Sequence, residues 1–105
     1  MGDSRKILGY SGSRTLDDVL IQRVTFPPAI TSALNPADYP GLMNWGGHAS
    51  GDALLALLIL LDFTDSISYS LSTYPAFMHA VIAPQSGNEI LIHSNTIIDF
   101  IARYP

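Results

Sequence analysis

The fold is decided by residues 44–62, NWGGHASGDALLALLILLD, in which two glycines, a histidine and a Ser-Gly pair precede an uninterrupted apolar run. Residues 53–61 are apolar on every side, so a helix formed by them has no face for water and must lie in the core. Ser50 belongs to the residue types that commonly cap a helix N-terminus. These features predict a central, fully apolar helix near residues 51–63.

Shorter patterns on both sides of this helix predict a small sheet and further helices. β-branched and apolar residues predict strands at 6–10 and 19–26, paired antiparallel, with a polar turn from residue 11 onward. Serine alternates with apolar residues over 66–74, which fits a strand. Apolar residues at helical spacing nevertheless persist to residue 82, and this length favours a helix kinked at Pro75.

The end of the chain adds one more strand and one more helix. EILIH at 89–93 is typical of a strand, and Ser94 or Asn95 is the expected cap of a helix that ends near Arg103. The whole chain of 105 residues is long enough for one core, so we expect a single domain over 1–105. The predicted fold class is α+β, a small antiparallel sheet packed against about three helices.

The composition limits the partners that the protein can have. Only 13% of the residues are charged and 48% are hydrophobic, whereas the usual charged share is about 25%. Scarce charge indicates either a very compact monomer or a surface that is partly covered by another subunit, and on this ground we expect a homo-oligomer. A net charge of −4 with five basic residues makes long nucleic acid a poor partner, because that affinity comes from phosphate neutralisation.

The sequence indicates neither a targeting signal nor cysteine chemistry. The chain contains no cysteine, which excludes disulfides and thiolate sites. Its first ten residues hold no long apolar run of the signal-peptide kind, and residues 53–61 are about half the length that a membrane span needs. We therefore expect a cytoplasmic protein, with no membrane partner and no cofactor.

The glycine-rich start of the central helix is the first candidate ligand site. A helix N-terminus leaves backbone N–H groups unpaired, and glycines let an anion approach that backbone closely. Gly46, Gly47 and Gly51 suit this role, and His48 and Ser50 add polar groups. The alternative is a tight turn that feeds a capped helix.

Aromatic and acidic neighbours bear on the same candidate in opposite directions. Trp45 or Tyr39 offers a face on which a nucleotide base can stack, so the predicted ligand is a small anion such as a linear or cyclic nucleotide. Asp52 argues against it, because a carboxylate in the first turn already satisfies the positive end of the helix.

Two arginines beside the predicted strands are further candidates. Arg14 and Arg23 can clamp a phosphate through paired hydrogen bonds. Strand alternation places Arg23 on the same face as Val19 and Ile21. The alternative is that these charges only keep the sheet from aggregating.

Evidence for catalysis or a metal is weak. His48 and Asp52 are four residues apart, so on a helix they would share a face and could hold a metal together with His79 or His93. Three scattered histidines are weak evidence for such a site. No nucleophile motif accompanies them. We expect no metal and no enzyme, with a small hydrolase using His48 and Asp52 as the least favoured alternative.

Three stretches of the chain resemble one known family. RTLDD at 14–18, PGLMNWGGHASGDALLALLILLD at 40–62 and YPAFMHAVIA at 74–83 are similar to a small uncharacterised family of bacteria and their phages, the domain of unknown function 6166. Twelve positions carry this resemblance: Tyr10, Arg14, Thr15, Leu16, Asp17, Trp45, Gly46, Ser50, Gly51, Tyr74, Phe77 and Val81. The chain departs from the family pattern at Gly47, Ala49, Asp52 and Leu54, so its ligand is expected to differ if those positions touch one.

The resemblance implies a phage or prophage setting but no established activity. Together with the glycine-rich helix start, it favours a small non-enzymatic protein that sequesters a nucleotide-like signalling ligand as a counter-defence. The alternative hypothesis is a protein–protein interaction module that inhibits a host enzyme. In that case the glycines only shape a turn, and the scarce charge marks a partner surface.

Overall fold

The sheet has three antiparallel strands, and the first strand of the chain lies in its centre. In the computed structural model, which describes residues 6–15, 19–26, 43–48 and 50–105, the strands are β1 (Lys6–Arg14), β2 (Val19–Phe26) and β3 (Glu89–His93). Their order is β2–β1–β3. Tyr39 and the other residues outside these ranges are not described further.

Strand β1 runs beyond its predicted end. It continues to Arg14, so the prediction of a turn over residues 11–14 is wrong. Ser11 and Ser13 are turn formers by type, but here they face Gln22 and Leu20 of β2 on one side and Leu91 and Glu89 of β3 on the other. Pairing on both sides of a central strand overrides the local preference of these residues.

Three helices in the described ranges pack with this sheet. They are α1 (Ser50–Thr64), α2 (Ile67–Phe77) and α3 (Ser94–Arg103), and α2 continues into a π-helical turn at Met78–Ile82. A three-stranded antiparallel sheet with three helices confirms the predicted α+β class. None of the helices in the described part of the chain has the length and apolar character that crossing a membrane requires.

Helix α1 is the central core element, as its composition predicted. It begins at Ser50, so the residue predicted as its cap is instead its first helical residue. Leu55, Ala56, Ile59 and Leu60 have no exposed surface. The largest fully buried side chains that surround them come from β1, β2, β3, the segment before α1, and the later helices: Tyr10, Ile21, Met43, Trp45, Phe77, Ile82, Ile92 and Ile97.

The ambiguous segment at 66–74 is helical. Ser66 caps α2, because its hydroxyl accepts a hydrogen bond from the backbone N–H of Tyr69 at 3.2 Å. Pro75 lies inside the helix and has no N–H to donate to the preceding turn. The chain then widens into the π turn, where the N–H of Ala83 donates to the carbonyl of Met78 at 2.8 Å.

Helix α3 follows β3 without a connecting loop. His93 is the last strand residue and also occupies the cap position, with an extended backbone and no capping side-chain hydrogen bond. The predicted cap at Ser94 or Asn95 is therefore wrong. Because the strand leads directly into the helix, the last strand residue takes the cap position and Ser94 is already the first helical residue.

Two glycines of β1 allow close approach of its neighbours. A Cβ atom at Gly9 would overlap the backbone carbonyl oxygen of Ile92. A Cβ atom at Gly12 would lie 2.8 Å from the Cδ1 atom of Ile21 and 3.2 Å from the ring of Trp45. The first obstacle is backbone and the second is side chain, which can shift.

We expect Gly9→Ala to destabilise the fold by about 2–3 kcal/mol, because overpacking against backbone is not relieved by a rotamer change. Gly12→Ala serves as the matched control and should cost less, since side-chain atoms surround it. Urea denaturation of the two variants measures the difference. Equal losses of unfolding free energy would contradict the assigned packing of β1 against β3.

Candidate functional site

The glycine-rich segment before α1 is a surface turn held against the π turn. Gly46 and Gly47 have φ angles of +84° and +97°, a conformation that favours glycine, and both are exposed. The N–H of Gly46 donates to the carbonyl of Ile82 at 3.2 Å. These two glycines therefore have a conformational reason to be glycine, independent of any ligand.

Asp52 fills the position that a bound anion would take. Its side chain is 1% exposed, and its two oxygens accept hydrogen bonds from the N–H groups of Gly47 at 2.7 Å and His48 at 2.9 Å. The N–H of Gly51 donates to the carbonyl of His48 at 3.0 Å. An anion bound by the amides of Gly47 and His48 would have to displace this carboxylate.

Trp45 lies in the core rather than at a ligand surface. It has 0% exposure, and its indole Nε1 donates to the carbonyl of Gly87 at 2.9 Å. The guanidinium carbon of Arg14 lies 4.6 Å from the ring centroid, within the range of a cation–π contact. Stacking of a nucleotide base on this ring would require the ring to leave the core. Tyr39, the other predicted stacking residue, lies outside the described residues.

Arg14 joins three segments at the end of β1. Its Nη1 donates to the side-chain oxygen of Asn44 at 2.6 Å and to the carbonyl of Trp45 at 3.0 Å. Its Nε donates to the side-chain oxygen of Asn88 at 3.3 Å. The predicted phosphate clamp is thus a residue that already binds protein acceptors.

Arg23 lies on the predicted face of β2, together with the buried residues Val19 and Ile21. It does not point to the glycine-rich segment but to α1, where it forms a two-point ion pair with Asp62; its Nε lies 2.8 Å from Oδ2. The Tyr10 hydroxyl donates to the same Oδ2 at 2.6 Å. This contact joins β1, β2 and α1.

The pKa values of Tyr10 and Arg23 are shifted in this contact. Burial, followed by the hydrogen bond to Asp62, raises the pKa of Tyr10 well above its ordinary value of 10.0. The hydrogen bond to Asp62 likewise raises the pKa of Arg23. Tyr10 therefore remains a neutral hydrogen-bond donor and Arg23 a permanent cation, which is a structural arrangement and not an acid–base pair.

Two of the predicted site residues, His48 and Ser50, lie on the surface, whereas Gly51 is buried. His48 and Ser50 are exposed, and the Nδ1 of His48 lies 2.7 Å from the carbonyl of Trp45. His48 precedes α1, so it does not share a helical face with Asp52. Within the ranges that the structure describes, no three side chains of His, Asp or Glu are grouped as a metal site would need.

An apolar groove between α1 and α2 was not predicted. It has a volume of about 200 Å³, and its walls and floor are formed by Leu57, Leu58, Leu61, Ile67, Ser70 and Leu71. Ile67 is 66% exposed and Leu71 is 56% exposed. The sequence signal was the helical spacing of these residues, but the same spacing is typical of a buried face, so it did not distinguish a groove from the core.

Comparison with known proteins gives one match. The model of the family of unknown function DUF6166 matches residues 10–103, nearly the whole chain. The chain belongs to this family. No protein of curated function and no solved structure matches it.

Membership of DUF6166 confirms the resemblance noted in the sequence. Among the residues on which that resemblance rests, Arg14, Trp45 and Gly46 attach the segment before α1 to the sheet and to the π turn. Tyr10 instead binds Asp62 near the end of α1. The fold explains the positions of these residues. The family itself has no described function.

We expect Asp52→Ala to lower the free energy of unfolding by about 2 kcal/mol, because two backbone N–H groups lose a charged acceptor. Asp52→Asn keeps one acceptor oxygen and should lose less. Urea denaturation measures both variants, and Ser50→Ala on the exposed start of the helix is the matched control. A loss no larger than that of the control would contradict the role of Asp52.

We expect the fold to lose stability as the pH rises above about 10. Because the pKa of Tyr10 is higher in the folded protein than its ordinary 10.0, the unfolded chain releases this proton first, and unfolding is then favoured. The stabilisation that comes from the neutral Tyr10 hydroxyl is fully present below about pH 10 and is lost as the pH rises further.

Denaturation of wild type and Tyr10→Phe at about pH 8 to about pH 11 tests this expectation. The variant should start less stable but lose less stability over the alkaline range. Tyr104→Phe, at an exposed position, is the control. Parallel pH dependence of Tyr10→Phe and wild type would contradict the expectation.

Proposed function

We propose that the protein is a non-enzymatic protein–protein interaction module that binds through the face formed by α1 and α2. The observation that carries the proposal is the apolar groove between these helices, with Ile67 and Leu71 more than half exposed beside it. Apolar side chains grouped at a surface are typical of a contact with another protein.

The chemistry of the groove favours an apolar occupant. Among the described residues of its lining, Ser70 is polar, and it is buried and already donates its hydroxyl to the carbonyl of Ser66 at 2.7 Å. The described lining therefore offers no open polar group that would orient a nucleotide. Its volume of about 200 Å³ is also below the range of about 300–1,000 Å³ that is usual for small-molecule sites.

The setting of this activity is part of the same proposal. In a phage or prophage, a small protein of this kind would act by covering a host protein, such as an enzyme, inside the host cytoplasm. The family that the chain matches has no described activity.

Sequestration of a nucleotide-like anion is the second candidate. It is favoured by the exposure of Gly46, Gly47, His48 and Ser50 on one short surface segment. It requires the Asp52 carboxylate to release the amides of Gly47 and His48 when the anion binds. The free energy cost of binding an anion here is therefore larger than at a helix N-terminus whose N–H groups are unoccupied.

Affinity capture from bacterial lysate tests the first candidate. We expect the wild-type chain to retain one stoichiometric protein, and Leu71→Glu to lose it, because a carboxylate at the groove cannot be buried without a partner. Leu20→Glu is the matched control, since Leu20 is 39% exposed on β2 and should retain the partner.

A panel of linear and cyclic nucleotides, added in a thermal-shift assay, separates the two candidates. Stabilisation by one nucleotide that disappears in Gly47→Val, with no protein captured, would favour anion binding and contradict the interaction module. Capture that Leu71→Glu does not weaken would also contradict the use of this face.

A further inference from the structure

We infer that the groove between α1 and α2 is the docking site of a second copy of this chain, with Ile67 and Leu71 of each copy inserted into the groove of the other. This inference rests on the proposed function in that it uses the same face; the second copy occupies the groove in the free protein, and a host protein that binds there has to displace it. It also specifies the surface of the homo-oligomer that the scarce charge of the sequence predicts.

The first argument is the charge of the face. Helix α2 has no charged residue, and the two carboxylates of α1 are bonded inside the molecule. Asp52 contacts the segment before the helix, and Asp62 contacts Tyr10 and Arg23 of the sheet. Two copies with a net charge of −4 each repel one another, and they repel least where few charges are presented. The exposed carboxylate nearest to this face along the chain is Asp65, in the connection between the two helices.

The second argument is self-complementarity. Leu58 and Ser70 of the groove lining are buried, whereas Ile67 and Leu71, four residues apart on α2, are more than half exposed. A concave apolar surface and a convex apolar ridge on the same face fit one another across a two-fold axis. In such a dimer each residue contact occurs twice, which is why two-fold interfaces are the commonest in homo-oligomers.

The third argument is size. A stable interface covers about 800 Å² on each partner, roughly one eighth of the 6506 Å² that this chain exposes. Two neighbouring helices of 15 and 11 residues present a face about 20 Å long and about two helix diameters wide, a projected area of roughly 400–480 Å². This is about half of the area of a standard interface and fits a weak, reversible dimer. Half-buried residues of α1, such as Leu54 and Leu57, extend the apolar area.

Light scattering after size-exclusion chromatography tests the inference on the full chain from about 1 to about 100 µM. We expect a dimer, and we expect Leu71→Glu and Ile67→Glu each to weaken self-association by about tenfold or more. Both residues are exposed in the single chain, so these variants should retain the circular dichroism and thermal unfolding of the wild type. Leu20→Glu is the control and should remain dimeric.

Single-cysteine crosslinking provides a second readout, because the chain has no cysteine of its own. We expect Leu71→Cys to form covalent dimers with a bifunctional maleimide much faster than Leu20→Cys. A wild type that is monomeric over the whole range overturns the inference. Equal crosslinking at both positions, or a dimer that Leu71→Glu and Ile67→Glu leave intact, overturns it as well.

The two proposals fail in different ways. A monomer that captures a lysate protein through Leu71 overturns the self-association and leaves the interaction module standing. A dimer that dissociates in Leu71→Glu supports the inference even when no lysate protein is captured. If neither self-association nor capture depends on Leu71, both proposals are wrong.

Discussion

The position of α1 is fixed by the two carboxylates near its ends. A helix that is apolar on every side has no polar face to orient it in the core, so hydrophobic burial alone leaves its rotation undetermined. Asp52 holds the amides of Gly47 and His48, and Asp62 holds Tyr10 and Arg23. Buried polar groups must be satisfied, so only one orientation of the helix avoids a large desolvation penalty.

The same constraint explains the arrangement of the segment before α1. Once Asp52 fixes the turn, the preceding residue Trp45 enters the core and places its indole N–H against Gly87. Arg14 then covers the ring and binds the carbonyl of Trp45. The segment that the sequence marks as a candidate ligand site is, in the folded chain, also a set of mutually bonded groups that connects a loop to a sheet and a helix.

Periodicity and local residue types predicted much of the fold. The length of the apolar run predicted α1, and the persistence of helical spacing past Pro75 predicted α2 correctly. The residue types did not predict the extension of β1 through Ser11 and Ser13, because it depends on pairing with β2 on one side and, about 80 residues later in the chain, with β3 on the other. Likewise, the partner of Arg23 is Asp62, 39 residues away, and no spacing rule joins them.

The apolar surface on α1 and α2 consists of the apolar side chains that the core does not bury. Because α1 is apolar on every side, the sheet and the segment before the helix cannot cover it completely, and Leu57 and Leu61 remain half-buried. Helix α2 lies beside α1 but directs Ile67 and Leu71 away from the core. A helix with no polar face thus creates both the stability of the monomer and an apolar surface that water solvates poorly. Within the part of the chain that is described, the groove is therefore a consequence of the sequence that decides the fold.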